Sequence, residues 1–501
     1  MLNLLTSAQT RAADAFTIKS KPIASIDLME KASFAFVQIF MQNFINLDAL
    51  ISVYCGTGNN GGDGLAIARL LKEQGYEQVS VKVARFNPQA SADFELNLKR
   101  LDLTGTSMAE IGNDTHFPEE NAEIIIDALL GSGLSRPLEN RYQLLVEHLN
   151  NLRKIIVSVD VPTGFPPEGI IDLHSTIIKA DMVISFQRPK INFFFPESEG
   201  FIKGFKCANI GLHEGFMQSQ PSGWKLLESD DIRNTIKPRE VFSHKGTYGH
   251  ALIIAGSAET MGAALICADA CLHSGAGITT ACIPKSGLTA LNSRSPEIMA
   301  VLRYKDEELT LEFGKYEAIA VGPGLGKANN DVKLLKYVLE NYSGPLVLDA
   351  DALNILANNP SLLSHLPAKT ILTPHLKEFD RLFGEHNNWW ERIETARKVS
   401  DERQIIIVLK NRYTFIVLPE GEVMINPTGN PAMATGGMGD ILTGMIAAFL
   451  AQGFAPKDAA ITACYLHGRT GDILHEKIGM HCIPPRYLIN ELPKTIGSFL
   501  T

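Results

Sequence analysis

Short apolar, β-branched runs recur along the chain, separated by stretches with the period of a helix. In the first half the runs are "LISVYCG", "VSVKVARF", "EIIIDALL", "KIIVSVDVP" and "DMVISF". Each is mostly apolar on both alternating sets of positions, as expected of strands buried on both faces of a parallel sheet. Between them lie helical patterns such as "GLAIARLLKEQG", which predicts a helix over 65–74 closed by a glycine. Around 213–224, "HEGFMQSQPSGW" is polar and without periodicity and reads as a linker. The pattern then restarts with "GHALIIAGS", "GITTACIP", "AIAVGPG", "PLVLDAD", "TILTP", "IIIVLK" and "YTFIVL". Strands alternating with helices mark an α/β fold, here in two domains, 1–218 and 219–501.

Length supports that division, since 501 residues exceed what one core usually holds. The composition, 45% hydrophobic and 20% charged, is that of a globular chain. A net charge of −9 offers no general attraction to nucleic acid or to an acidic membrane. Seven cysteines, with no C-x-x-C pair, argue against a disulfide framework and a zinc site. Cys267 and Cys271 share a helix face and are expected to be buried thiols. No signal peptide or membrane span is recognisable, so a reducing, cytoplasmic location is expected. The expected assembly is a homo-oligomer, whose order the sequence does not state.

The chemistry concentrates at strand ends, where parallel α/β sheets gather their loops. "CGTGNNGGDG" (55–64) follows the run "LISVY" and contains G-x-G-x-x-G at Gly56, Gly58 and Gly61. A nicotinamide-dependent oxidoreductase would add an acidic residue at the end of the next strand to hold the ribose, but "VSVKVARFNPQ" has none. Nor does the Lys-Ser/Thr pair of a P-loop follow. Two further strand ends carry acids: Asp127 before the glycine-rich segment 131–137, and Asp160 followed by Thr163. Any one of these acids could be a turn former or helix cap. Together with Asn60, the oxygens of Asp127 and Thr163 suit a hard cation, which would leave Asp160 free for proton transfer.

"GTGNNGGDG", "DALLGSG" and "VDVPTG", in that order and preceded by "LMEKAS", resemble the NAD(P)H-hydrate epimerase domain over about 1–215. The resemblance implies a Rossmann-like three-layer domain that epimerises hydrated nicotinamide cofactors, NADHX and NADPHX, at C6. By the same resemblance Asn59, Asn60, Gly61, Gly62 and Asp63, with Gly131, Ser132, Gly133, Leu134, Ser135, Arg136 and Pro137, would contact the hydrated dinucleotide. Asn60, Asp127 and Thr163 would hold K⁺, and Asp160 would be the acid–base group.

In the second half "TGGMGDILTGMIAAFL" (435–450) places glycines before a long apolar helix, an anion hole at its N-terminus. Asp440, in the first turn, is either an acid favoured by the helix dipole or a base for a hydroxyl attacking a phosphoryl group. The pattern resembles the ribokinase-like superfamily. Within it, "HKGTYGH" (244–250), "AGS" (255–257), "VGPGLG" (321–326), "VLDADAL" (347–353) and "TPHLKEF" (373–379) resemble the ADP-dependent NAD(P)H-hydrate dehydratases over 225–501. The resemblance implies transfer of the β-phosphoryl group of ADP to the ring hydroxyl, then loss of phosphate. Ala251, Gly324, His375 and Asp440 would line the hydrate site. Lys410, Asn411, Arg412, Tyr413, Thr414 and Gly439 would bind the nucleotide, with Mg²⁺ bridging its phosphates. Asn411 stands where the family usually has glycine, and asparagine is the residue that best replaces a glycine at positive φ. His375 taken alone reads as a structural histidine at a strand end. The alternative is a ribokinase-like kinase of a vitamin precursor with an accessory nucleotide-binding domain. An oxidoreductase, or a nucleotide-sensing scaffold with dead sites, ranks behind both.

Overall fold

The computed structural model describes residues 1–21, 23–133, 136–304 and 310–500. The chain forms two compact units, Asn3–Ser222 with Asn388–Trp390, and Gly223–Asn387 with Met1–Leu2 and Glu391–Thr501. The stretch read as a linker carries the short helix Glu214–Ser219 and opens the strand Trp224–Leu226, because its polar residues cap and turn rather than extend.

In the first unit seven parallel strands lie in the order Ser107–Ile111, Val79–Ala84, Ile51–Cys55, Ile124–Ala128, Ile155–Val159, Met182–Phe186 and Phe205–Ala208. The order reverses between Ile51–Cys55 and Ile124–Ala128, the switch point at which such sheets open a crevice. The central strands are those legible as apolar runs. The edge strand Ser107–Ile111 is exposed at every position but Ile111, so it carries no such run. On one face the helices Ser25–Asn43, Asn59–Glu73 and Ala92–Asp102 pack side by side, with Phe36, Phe40, Leu65 and Phe94 in the core beneath.

The glycine-rich segment is where sequence and structure differ most. The helix begins at Asn59, not at 65, so "NNGGDG" forms its first turns. A Cβ on Gly61 would stand 1.8 Å from the Gly56 carbonyl oxygen, and one on Gly64 would stand 2.5 Å from Ala128 Cβ. These glycines let a helix press against strand ends, and that contact extends the helix to Asn59. Gly58, the N-cap, has nothing within 4 Å of the position its Cβ would take.

Asp127 ties the neighbouring strand ends together. It is fully buried and accepts from Ser158 Oγ at 2.8 Å, Thr163 N at 2.9 Å, Thr163 Oγ1 at 2.6 Å and Leu129 N at 3.3 Å. Burial raises its pKa, and the bonds from Thr163, Ser158 and Leu129 oppose that shift.

In the second unit the sheet runs Trp224–Leu226, Val423–Asn426, Thr414–Val417, Ile406–Leu409, Ile371–Leu372, Leu346–Leu348, Ala318–Val321, His250–Ile254, Ile278–Pro284 and Met299–Arg303. Pairing is parallel from Ile406–Leu409 through Met299–Arg303, and antiparallel where Thr414–Val417 meets its two neighbours. The switch point falls between His250–Ile254 and Ala318–Val321. From Gly444 onward the helix Met438–Ala451 is apolar around its whole circumference because it is enclosed by the helices Met261–His273 and Pro456–Ile478 and by the sheet. Cys267 and Cys271 are fully buried on the first of these neighbours. All seven cysteines are free thiols.

Two stability predictions follow from these contacts. A Cβ on Gly444 would lie 2.1 Å from the Cys267 carbonyl oxygen. Gly444→Ala should therefore destabilise the second unit by about 1–3 kcal/mol, read by denaturant unfolding. Asp127→Ala strands buried donors of Thr163, Ser158 and Leu129 at about 1–3 kcal/mol each. It should lower the unfolding midpoint of the first unit, and an unchanged midpoint would show these bonds to be dispensable.

Candidate active sites

In the first unit Asp160 follows the strand Ile155–Val159 with φ 64, a left-handed conformation that non-glycine residues adopt at a cost of about 1–3 kcal/mol. The turn is held because Asp160 Oδ1 accepts from Phe186 N at 3.0 Å and Ser185 Oγ at 3.2 Å and pairs with Lys190 Nζ at 2.7 Å. Two more carboxyl groups face it. Asp14, on the helix Ser7–Ser20, is lifted to about 6 by burial and by the Asp160 charge, with Lys190 acting against both. Asp63, in the first turns of Asn59–Glu73, is pushed well above the carboxylate range by burial and by Asp160, Asp14 and Asp93. The site thus contains an ion-paired carboxylate beside carboxyls that favour the protonated form, an arrangement able to give and take a proton.

Asn60 lies across from this group. A Cβ on Gly131 would be 3.2 Å from Asn60 Cγ and Oδ1, and Thr163 Oγ1 accepts from Leu130 N at 3.0 Å. Asn60, Thr163 and the 129–131 segment are therefore contiguous. The Asn60 amide nitrogen is buried without a hydrogen-bond partner, and a half-turn of the amide would put Oδ1 in its place. Asp127, the third expected cation ligand, lies beside them, its oxygens accepting four bonds from Thr163, Ser158 and Leu129. Asn59, Gly133, Arg136 and Pro137 are exposed at the same strand ends, while Leu134 and Ser135 lie outside the described residues.

In the second unit Gly437, at φ 96, is the N-cap of Met438–Ala451, and Asp440 sits in the first turn. Burial, with Asp349 second, lifts the Asp440 carboxyl to about 7, against the lowering effect of Lys410. Lys410 follows the strand Ile406–Leu409 and pairs with Asp349 at 2.8 Å. A Cβ on Gly439 would be 3.4 Å from Lys410 Nζ, so Gly439 leaves room for that ammonium group beside the turn. Burial acts against the Lys410 charge, but Asp349, Glu378 and Asp440 outweigh it and raise its pKa.

The loops converge on this group. Gly256 N donates to Pro323 O at 2.8 Å, Thr260 Oγ1 to Gly324 O at 2.6 Å, and Gly326 N to Asp351 Oδ2 at 3.0 Å. His375 N-caps the helix Leu376–Phe383 through Nδ1, and its backbone bridges to Lys410. Its half-exposed ring keeps Nε2 3.5 Å from Glu378 Oε1. Asn411 and Arg412 are exposed in the hairpin before Thr414–Val417, and Arg412 lies over the Tyr413 ring at 4.5 Å. Asn411 has no positive φ, so no glycine conformation is needed there.

Ala251 does not join the site. It is fully buried near the amino end of its strand, whereas the group around Asp440 gathers at carboxyl ends. The residues against Gly324 are Thr260 and Ala263. "HKGTYGH" is likewise remote. Gly249 packs on the carbonyl of Ala451, at the far end of the helix whose first turn carries Asp440, about 16 Å from it at about 1.5 Å per residue. Sequence reading missed Asp14, Lys190, Asp349 and Thr443. Thr443 and Asp349 lie within quoted motifs, "TGGMGDILTGMIAAFL" and "VLDADAL", without a role read for them, while Asp14 and Lys190 lie in none, and only the fold brings the four to the strand ends.

Comparison with known proteins agrees with this division. Residues 25–192 match the family described as YjeF-related protein N-terminus, and 251–494 match NAD(P)H-hydrate dehydratase. A bifunctional NAD(P)H-hydrate repair enzyme of Moorella thermoacetica is 32% identical, covering 99% of this chain and 97% of its own length. One of Thermofilum pendens is also 32% identical, covering 94% and 92%. Among solved structures, a ribokinase-like superfamily protein from Enterococcus faecalis V583 is 30% identical with a TM-score of 0.50, covering 56% of this chain and 98% of that one. With full-length relatives at this identity and a matching domain at each strand-end site, the chain belongs to the bifunctional NAD(P)H-hydrate repair enzymes.

Proposed function

We propose that the two units act in turn on hydrated nicotinamide cofactors, the first interconverting the R and S forms of NADHX and NADPHX and the second dehydrating the S form to NADH or NADPH. The observation that carries this reading is the Asp440 carboxyl, half-buried one residue after Gly439 and flanked by Asp349 and Lys410. Hydroxide is a poor leaving group, and phosphorylating the C6 hydroxyl replaces it with phosphate. Asp440 takes the hydroxyl proton as oxygen attacks the β-phosphorus of ADP, and AMP departs. The ring nitrogen lone pair then expels phosphate from C6, and the iminium so formed loses its C5 proton to the departing phosphate, which restores the dihydronicotinamide. The N–H groups of 436–439 and the Lys410 ammonium balance charge on the transferring group. The hairpin 410–414 holds the nucleotide, and Gly324, His375 and Ala263 flank the hydrate.

Mg²⁺ carried by the nucleotide would supply charge neutralisation on the phosphates. It keeps most of its shell from phosphate and water, and among the described residues no three His, Cys, Asp or Glu come together as a protein cage. In the first unit the Asn60 amide oxygen and Thr163 Oγ1 suit K⁺, with the Asp127 charge behind them. The ion would order the 129–131 segment. Asp160, paired with Lys190, moves the proton at the C6 hydroxyl.

Incubating the chain with an R/S mixture, ADP, Mg²⁺ and K⁺ should return the full dihydronicotinamide absorbance. No recovery with ADP or ATP would overturn the reading in favour of a small-molecule kinase. Asp160→Asn should stall recovery at the S fraction. Asp440→Asn should cut dehydration by about 10²–10⁴-fold while ADP still binds. Because the base must be ionised, kcat/KM for dehydration should rise as pH climbs through about 7 and then level. A profile flat from about pH 6 to 8 would remove Asp440 from that role.

A further inference from the structure

Asp349 has no part in the chemistry above, yet it is the least exposed acid among the described residues of the second unit. It ends the strand Leu346–Leu348, is 1% exposed, and is followed by Ala350 at φ 49, a strained position for alanine. A Cβ on Gly322 would lie 1.8 Å from its carbonyl oxygen, so its backbone is pinned as well. Its Oδ1 accepts from Lys410 Nζ at 2.8 Å and its Oδ2 from Thr443 Oγ1 at 2.8 Å, on the helix that carries Asp440. Lys410 therefore stands between an internal anion and the open glycine turn. The other groups facing this set are Asp351 toward Asp440, Glu378 toward Lys410, the buried Cys267 and Cys464 thiols, and His467, whose imidazole burial lowers to about 4.

We propose that Asp349 is a positioning residue that couples the base to the phosphoryl donor: it holds Lys410 while the turn is empty, and a nucleoside diphosphate at 436–439 draws Lys410 toward phosphate and uncovers the Asp349 charge beside Asp440. The inference rests on the dehydratase reading. Its consequence is a base that gains proton affinity when a phosphorus is present to receive the hydroxyl oxygen. Part of the nucleotide's binding energy goes into weakening the Lys410–Asp349 pair.

The test is Asp349→Asn in the full chain, which keeps an acceptor for Thr443 but removes the charge. Mg·ADP binding is measured by calorimetry, and dehydration of the S form is followed against pH. ADP should bind about fivefold or more tightly because Lys410 is released to it. At the same time kcat should fall about tenfold and its rising limb should move to lower pH. A merely structural role would weaken binding and turnover together. ADP affinity unchanged or weaker, or an unmoved limb, overturns the inference. Should Asp349→Asn fail to fold, Lys410→Met decides: its limb must move to higher pH and its ADP affinity must drop, and any other result refutes the coupling. Wild-type chain that binds no ADP would remove the dehydratase reading and this inference with it. Wild-type binding without tightening in the variant removes the inference alone.

Discussion

Close approach through positions where no side chain fits, of helix to strand end in the first unit and of helix to helix in the second, is the contact on which both sites depend. In the first unit Gly61 meets the Gly56 carbonyl and Gly64 meets Ala128, bringing the start of Asn59–Glu73 onto the sheet's switch point. In the second, Gly444 meets the Cys267 carbonyl and seats Met438–Ala451 deep enough for its first turn to face Asp349 and Lys410. A single methyl at any of these places would lift a helix away from the chemistry it positions.

That closeness also shapes the electrostatics. With little water present, burial first and neighbouring like charges second raise the pKa of the carboxyls beside each lysine pair. Lys190 pairs with Asp160 while Asp14 and Asp63 shift upward, and Lys410 pairs with Asp349 while Asp440 shifts upward. Two unrelated sheets thus reach one arrangement, a lysine-paired carboxylate beside a carboxyl of raised proton affinity. Acid–base work near neutral pH needs that separation.

Central strands were legible because burial on both faces leaves a continuous apolar run, as in Ile124–Ala128 and Ile406–Leu409. Edge strands such as Ser107–Ile111 and Met299–Arg303 were not, since half-exposed backbone makes no such demand on composition. The glycine segment 55–64 was legible as special but misread as loop, because helix packing and ligand approach ask for the same residue. Ala251 was placed at the hydrate site by its motif, but it sits at the amino end of its strand, away from the carboxyl-end group.

The sequence by itself determined the two α/β halves, the strand-end acids Asp127, Asp160 and Asp440, and the resemblance that names the chemistry, because periodicity and short motifs are local. Only the tertiary structure decided that Asp127 spends its oxygens on Thr163, Ser158 and Leu129, and that Asp14 faces Asp160. It alone set Asp349 between Lys410 and Thr443. Apart from Leu129, 2 positions from Asp127, these are contacts between residues at least 31 positions apart, formed when parallel strands align their carboxyl ends, and no local pattern encodes which partners meet there.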